Sequence, residues 1–225
     1  MTKNFTRRLI TSIFLLIILF IVIYSHQFIF GLSLLILGFI VCIEFNNISR
    51  KLVGDLYLSS AKFNIKFFIL MWPPFIYMFL IFGFSTFEIY KLQGPTFLLF
   101  IISICFLSDI GGYVFGKIIG GKKLTKISPN KTISGSIGSF IFSIFSLIIF
   151  SNVDNLKLNF NFDNLFFCLS ISLICQLGDL FISLLKRKAK IKDTGKILPG
   201  HGGILDRVDG IIFALPFSYI LLRLI

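Results

Sequence analysis

The chain has 225 residues, of which 56% are hydrophobic and 14% charged, with a formal net charge of +12; its mean hydropathy is +0.94. Soluble domains carry about 45–50% apolar and about 25% charged residues, so the composition excludes an ordinary water-soluble fold and points to a bilayer. Nucleic acid is not the expected partner, because the cations fall in short segments between apolar runs instead of gathering on one soluble face.

Arg7 and Arg8 precede an apolar run from Leu9 to Tyr24. The run is long and no small-x-small cleavage site follows, so it reads as a retained first helix and not a removed signal. With six further apolar segments the predicted spans lie at roughly 9–25, 27–45, 65–84, 96–118, 134–151, 164–186 and 208–225. The third contains Trp72, Pro73 and Pro74; proline removes a backbone donor, so this span is expected to bend or break. The expected fold class is all-α, a polytopic integral membrane helical bundle of about seven spans.

Of the 22 lysines and arginines, all but Lys91, Lys157 and Arg223 fall in alternate connections. Lysine and arginine mark the cytoplasmic face, which puts the N-terminus in the cytoplasm and the C-terminus outside. Cys42, Cys105, Cys168 and Cys175 all lie within apolar runs and read as small buried hydrophobes.

Only ten residues are acidic, so each can be weighed. Glu88, Asp154 and Asp163 fall in predicted outside loops, and Asp55 in an inside one. Glu44, at the inner end of the second span, reads as a rim residue paired with a nearby cation. Asp109 and Asp179 are embedded in the apolar runs ICFLSDIGGYVFG and ICQLGDLFISLLKR. A carboxylate within a span is costly and is a functional-site hypothesis by default; the plainer alternative is an acid paired with a lysine to hold helices together. Lys186 follows Asp179 by seven residues, about two turns, which places both on one helix face roughly 10 Å apart.

The segment SLLKRKAKIKDTGKILPGHGGILDRVD spans residues 183–209. Its Pro199-Gly200-His201-Gly202-Gly203 stretch breaks a helix and predicts a tight turn whose backbone N–H groups can approach an anion. Asp206 and Asp209, three apart, are expected to share a face at the start of the last helix. Carboxylates among many cations suit Mg²⁺, which takes its remaining ligands from water and substrate phosphates, with Lys and Arg neutralising charge on a transferring phosphorus. A basic patch for lipid headgroups is the simpler alternative, but it needs neither the glycine turn nor paired aspartates. His201 could serve as a base, a phosphate donor or a structural donor; phosphate or cytidine contact is the favoured reading. Upstream, Gly112, Gly116 and Gly120 recur every four residues, a spacing that lets helices pack closely. Ser128-Pro129-Asn130-Lys131-Thr132 predicts a turn whose hydroxyls and lysine can hold phosphate near a helix start.

These residues resemble the phosphatidate cytidylyltransferases. The family pattern Ser-x-x-Lys-Arg, Lys-Asp, Pro-Gly-His-Gly-Gly and Asp-Arg-x-Asp is matched by Ser183, Lys186, Arg187, Lys192, Asp193, residues 199–203, Asp206, Arg207 and Asp209. Asp109, Tyr113, Gly116 and 128–132 match a second family segment, while Ser134 stands where an acidic or amide residue is usual and is given no catalytic role. The resemblance implies Mg²⁺-dependent transfer of CMP from CTP to phosphatidate, leaving a second cation open, by a homodimer in the bacterial inner membrane with its active site facing the cytoplasm. It implies Asp179 and Asp206 as principal metal carboxylates with Asp209 beside them, Lys186 and Arg187 at the reacting phosphates, and substrate contacts from Ser128, Lys131, Thr132, Ser183, Lys192, His201, Gly202 and Arg207. Residues 1–95 then read as N-terminal membrane helices and 96–225 as a catalytic membrane domain with loops at 117–133 and 186–207. Two rivals remain: a related enzyme acting on another lipid phosphate or alcohol, and a transporter using Asp109 and Asp179 as ion ligands.

Overall fold

A computed structural model describes residues 2–53, 73–125, 128, 131–153, 156, 158–195, 197–198, 200 and 202–224, with side chains from Leu9 onward. It is helical: α1 is Thr2–Ile23, α2 Gln27–Val53, α3 Pro73–Gln93, α4 Pro95–Ile118, α5 Ile133–Ser151, α6 Phe162–Lys188, α7 Leu205–Val208 and α8 Ile211–Leu224. Among the described residues the only extended pairings are isolated bridges, Lys123 with Thr132 and Leu198 with Gly202.

Among the described residues five helices, α2 to α6, are long and apolar enough to cross a membrane. Large apolar side chains stay exposed along them and along α1, including Phe14, Ile21, Phe28 and Leu80. A surface of this extent is not stable in water and suits lipid. Residues Leu9–Ile23 and helix α8 are apolar but shorter. The 14 residues of α8 rise about 21 Å, less than the roughly 30 Å hydrocarbon core.

Several boundaries differ from the sequence expectation, and α2 runs to Val53, eight residues beyond the expected end at 45. The described part of the third span starts at Pro73 and continues to Gln93, nine residues beyond the expected end. Pro73 and Pro74 are the first two residues described there, Trp72 lies outside the described residues, and Glu88 lies on a helix instead of in a loop. A wide π-helical segment, Tyr77–Gly83, occupies the middle. At the other end the last span does not begin at residue 208: α7 stops at Val208 and α8 starts at Ile211.

The chain forms two compact units, one of Met1–Phe87 with Leu185–Val208, the other of Glu88–Leu184 with Asp209–Ile225. In the first, α2 packs on α3 through Phe39, Phe75 and Phe79, and a Cβ on Gly38 would strike the Phe79 ring. In the second, α4 and α5 approach along glycines. A Cβ on Gly111 would meet the Gly138 carbonyl, one on Gly138 would lie 2.5 Å from Phe115, and one on Gly135 would lie 2.8 Å from the Gly112 carbonyl. The packing role expected of Gly112 and Gly116 thus holds, whereas Gly120 has open space around it and a φ of +63°, the backbone of a helix terminator. Phe97, Phe100, Phe150 and Phe167 fill the core of this unit. All four cysteines are buried and free, as expected.

Candidate active site

In the first unit the 191–208 segment is organised by two carboxylates. Asp206, on α7, accepts at Oδ1 from the Lys186 ammonium at 2.8 Å. Its Oδ2 accepts from the Thr194 N–H at 2.8 Å, the Thr194 hydroxyl at 3.1 Å and the Gly203 N–H at 3.0 Å. Burial pushes the Asp206 carboxyl up, but the Lys186 ammonium and the N–H groups of Thr194 and Gly203 outweigh it and hold the group below its ordinary value.

Glu44 is the second carboxylate. It is 1% exposed and accepts from the Thr194 hydroxyl at 2.8 Å, the Leu205 N–H at 2.8 Å and the Ile204 N–H at 3.0 Å. The expected rim residue paired with a cation is therefore corrected: Glu44 faces inward and neutral donors hold it. The physical reason is that α7 opens beside it with backbone N–H groups that lack intrahelical partners. Both Gly195 and Gly203 lie against its carboxylate, where a Cβ would collide, so the glycines are required by close approach.

The glycine turn is present. Leu198 and Gly202 exchange both backbone hydrogen bonds, at 2.9 and 3.2 Å, and Gly200 and Gly202 have φ of +78° and +87°. Among the described residues the N–H groups of Gly203, Ile204 and Leu205 are taken by Asp206 and Glu44, and that of Gly202 by the Leu198 carbonyl, so the anions these exit donors hold are the protein's own carboxylates. Pro199 and His201 lie outside the described residues. Arg187, Lys192 and Arg207 are exposed.

In the second unit Asp179 on α6 forms an ion pair with Lys131. Its Oδ1 accepts from the Ser183 hydroxyl, one turn on, at 3.3 Å. Both partners of the ion pair remain 28% exposed. The Lys131 ammonium, expected at a substrate phosphate, thus stands on a carboxylate here. Lys131 is placed by its loop: its N–H bonds the Ser128 carbonyl at 3.0 Å, and its carbonyl accepts from Leu124 at 2.8 Å. Thr132 caps α5 by accepting from the Gly135 N–H at 3.0 Å, and Ser134 bonds the Gly120 carbonyl and Thr132, a structural use. Asp209 accepts at 2.9 Å from the Gly210 N–H in the turn between α7 and α8. Since α7 ends before Asp209, the helix face that Asp206 and Asp209 were expected to share does not form.

Among the described residues no three or more His, Cys, Asp or Glu side chains are grouped to hold a metal. Mg²⁺ commonly uses one or two carboxylates and completes its shell with water and phosphate, so the donor set is judged carboxylate by carboxylate. Asp179, partly exposed and carrying two donors, keeps free lone pairs and fits a hard cation. Asp206 has three donors on Oδ2 and one on Oδ1, so only Oδ1 has room.

A helical membrane protein with carboxylates held among lysines at the ends of its long helices is the class that this architecture defines. Residues 48–225 match the model of the cytidylyltransferase family, and the chain belongs to that family. It is similar to the phosphatidate cytidylyltransferases of Staphylococcus epidermidis (43% identical over 141 residues, 62% of this chain and 54% of the relative), Bacillus subtilis (42% over 132 residues, 58% and 49%) and Helicobacter pylori (43% over 141 residues, 62% and 52%). The chain spans about half the length of the curated relatives it matches.

Proposed function

We propose that the chain transfers CMP from CTP to phosphatidate, giving CDP-diacylglycerol and pyrophosphate. The observation that carries this reading is the 183–209 segment, which lies in the region matched to the cytidylyltransferase family and is organised around one half-buried, lysine-paired aspartate. An oxygen of the phosphatidate phosphate bonds to the α-phosphorus of CTP. The bond from that phosphorus to the bridging oxygen breaks, and its electron pair leaves on pyrophosphate. The attacking phosphate is already ionised, so no strong base is required. Lys186 and Arg187 neutralise charge on the phosphates, and Ser128, Thr132, Ser183, Lys192 and Arg207 are proposed substrate contacts.

Mg²⁺ is part of the proposal, with Asp179 as the carboxylate that best fits it and Asp206 and Asp209 as the other proposed ligands. When bound it would supply charge neutralisation on the leaving phosphates. The proposed topology has seven spans, a cytoplasmic N-terminus and the reaction on the cytoplasmic face of the bacterial inner membrane; the proposed assembly is a homodimer.

The test is purified protein in detergent with phosphatidate, CTP and Mg²⁺, following pyrophosphate and CDP-lipid together. Both should form, and EDTA should abolish both. Well-folded protein that forms neither would overturn the reading.

A further inference from the structure

The unit of Met1–Phe87 with Leu185–Val208 contains an open cleft of about 570 Å³, within the range of about 300–1,000 Å³ typical of small-molecule sites. The end of α2 contributes Asn47, Arg50 and Lys51; the loop after α6 contributes Lys192, Asp193 and Thr194. Neither of the ion pairs among the described residues, Lys131 with Asp179 and Lys186 with Asp206, uses any of these charges. Three cations and one carboxylate therefore line the cleft and leave it positive.

The floor of the cleft is fixed in place. Thr194 is 4% exposed, its hydroxyl bonds both Glu44 and Asp206, and its N–H bonds Asp206. Such a floor loses little freedom on binding, which favours affinity. Arginine presents a planar fork suited to phosphate oxygens and lysine a point charge, so the lining selects an anion with several phosphate oxygens. Asn47 and Asp193 add an amide and a carboxylate that can meet the polar edge of a base or sugar.

We propose that this cleft binds the polyphosphate tail of a nucleotide, with Arg50 and Lys51 of α2 acting beside Lys192. The proposal rests on the CTP reading above and gives the nucleotide contacts from α2 as well as from the loop. A lipid phosphate shares the chemistry but carries fewer charges, and the test separates the two.

The full chain in detergent is compared with R50Q/K51Q and with the charge-keeping R50K/K51R. Both side chains are exposed, so melting temperatures should agree. Equilibrium binding of inorganic tripolyphosphate and of CTP should weaken at least tenfold in the glutamine variant and stay within about threefold in the charge-keeping one. In turnover, KM for CTP should rise at least tenfold with KM for phosphatidate unchanged. Unchanged tripolyphosphate affinity in R50Q/K51Q, or none in the wild type, overturns the proposal. A rise in KM for phosphatidate alone overturns it too, by assigning the cleft to the lipid phosphate. Tripolyphosphate binding that is lost in the variant, in a protein that forms no CDP-lipid, upholds the cleft and sinks the cytidylyl-transfer reading instead.

Discussion

Glu44 is the residue whose replacement should be most informative. Glu44→Gln keeps the shape but turns one oxygen into a donor. Oε2 receives two donors, the Thr194 hydroxyl and the Leu205 N–H, and Oε1 receives one, the Ile204 N–H. The amide nitrogen will therefore settle at the Oε1 site, where it opposes the Ile204 N–H. One bond is lost and one buried donor is left unmet, a cost of about 1–3 kcal/mol. Glu44→Ala strands the Ile204 and Leu205 N–H groups, leaves the Thr194 hydroxyl only Asp206, and empties space at a site 1% exposed, which should cost about 4 kcal/mol or more, the range of exceptional single substitutions. For a chain of this length about 1 kcal/mol shifts the melting temperature by roughly 2–4 °C. The assay is thermal melting in detergent, paired with amide hydrogen exchange over 194–208. The expected order is wild type, then Gln, then Ala, with exchange rising at Ile204 and Leu205 first. Should Glu44→Ala melt with the wild type and leave those amides protected, the clamp does not exist as described.

Asp206→Asn should flatten the acid side of the stability profile. The Asp206 pKa is lowered on folding, so its contribution is fully present above the unfolded-state value and is lost as pH falls through the lowered folded one; wild type should lose stability in that window and the variant should lose less. Gly203→Ala should lower the melting temperature sharply, because its Cβ would collide with Thr194 and Glu44, whereas Gly120→Ala, with open space but φ of +63°, should cost only about 1 kcal/mol. Asp179→Asn should insert and fold yet lose the proposed CMP transfer; near-wild-type turnover at low Mg²⁺ would refute its proposed metal role.

Helical character and most of the apolar segments were legible because a bilayer demands long apolar runs. The glycine seam was legible too, since a four-residue repeat keeps small residues on one face. Glu44 was not read correctly, although a signal existed: Arg50, six residues on, is neither three nor four away, so no cation on its own helix could pair with it. Its real partners, Thr194, Ile204 and Leu205, lie at the far end of the chain, a separation that local pattern cannot bridge. The sequence spacing of Asp206 and Asp209 misled for a related reason. Three residues imply a shared face only while the helix continues, and the turn at Asp209 and Gly210 interrupts it. Lys131 and Asp179 were each singled out, but their pairing joins a loop to a helix 48 residues on and leaves no trace in spacing.

The Glu44 clamp spans 150 to 161 residues of chain, and this sets an order of events during synthesis. At roughly 5–20 residues per second, α2 emerges on the order of ten to thirty seconds before the donors of Thr194, Ile204 and Leu205. Through that interval a carboxylate at the end of an apolar helix is without the partners that will bury it. Either water at the membrane surface or the insertion machinery must shelter it meanwhile. Biogenesis of this protein therefore contains a waiting step whose release is the arrival of residues 194–205.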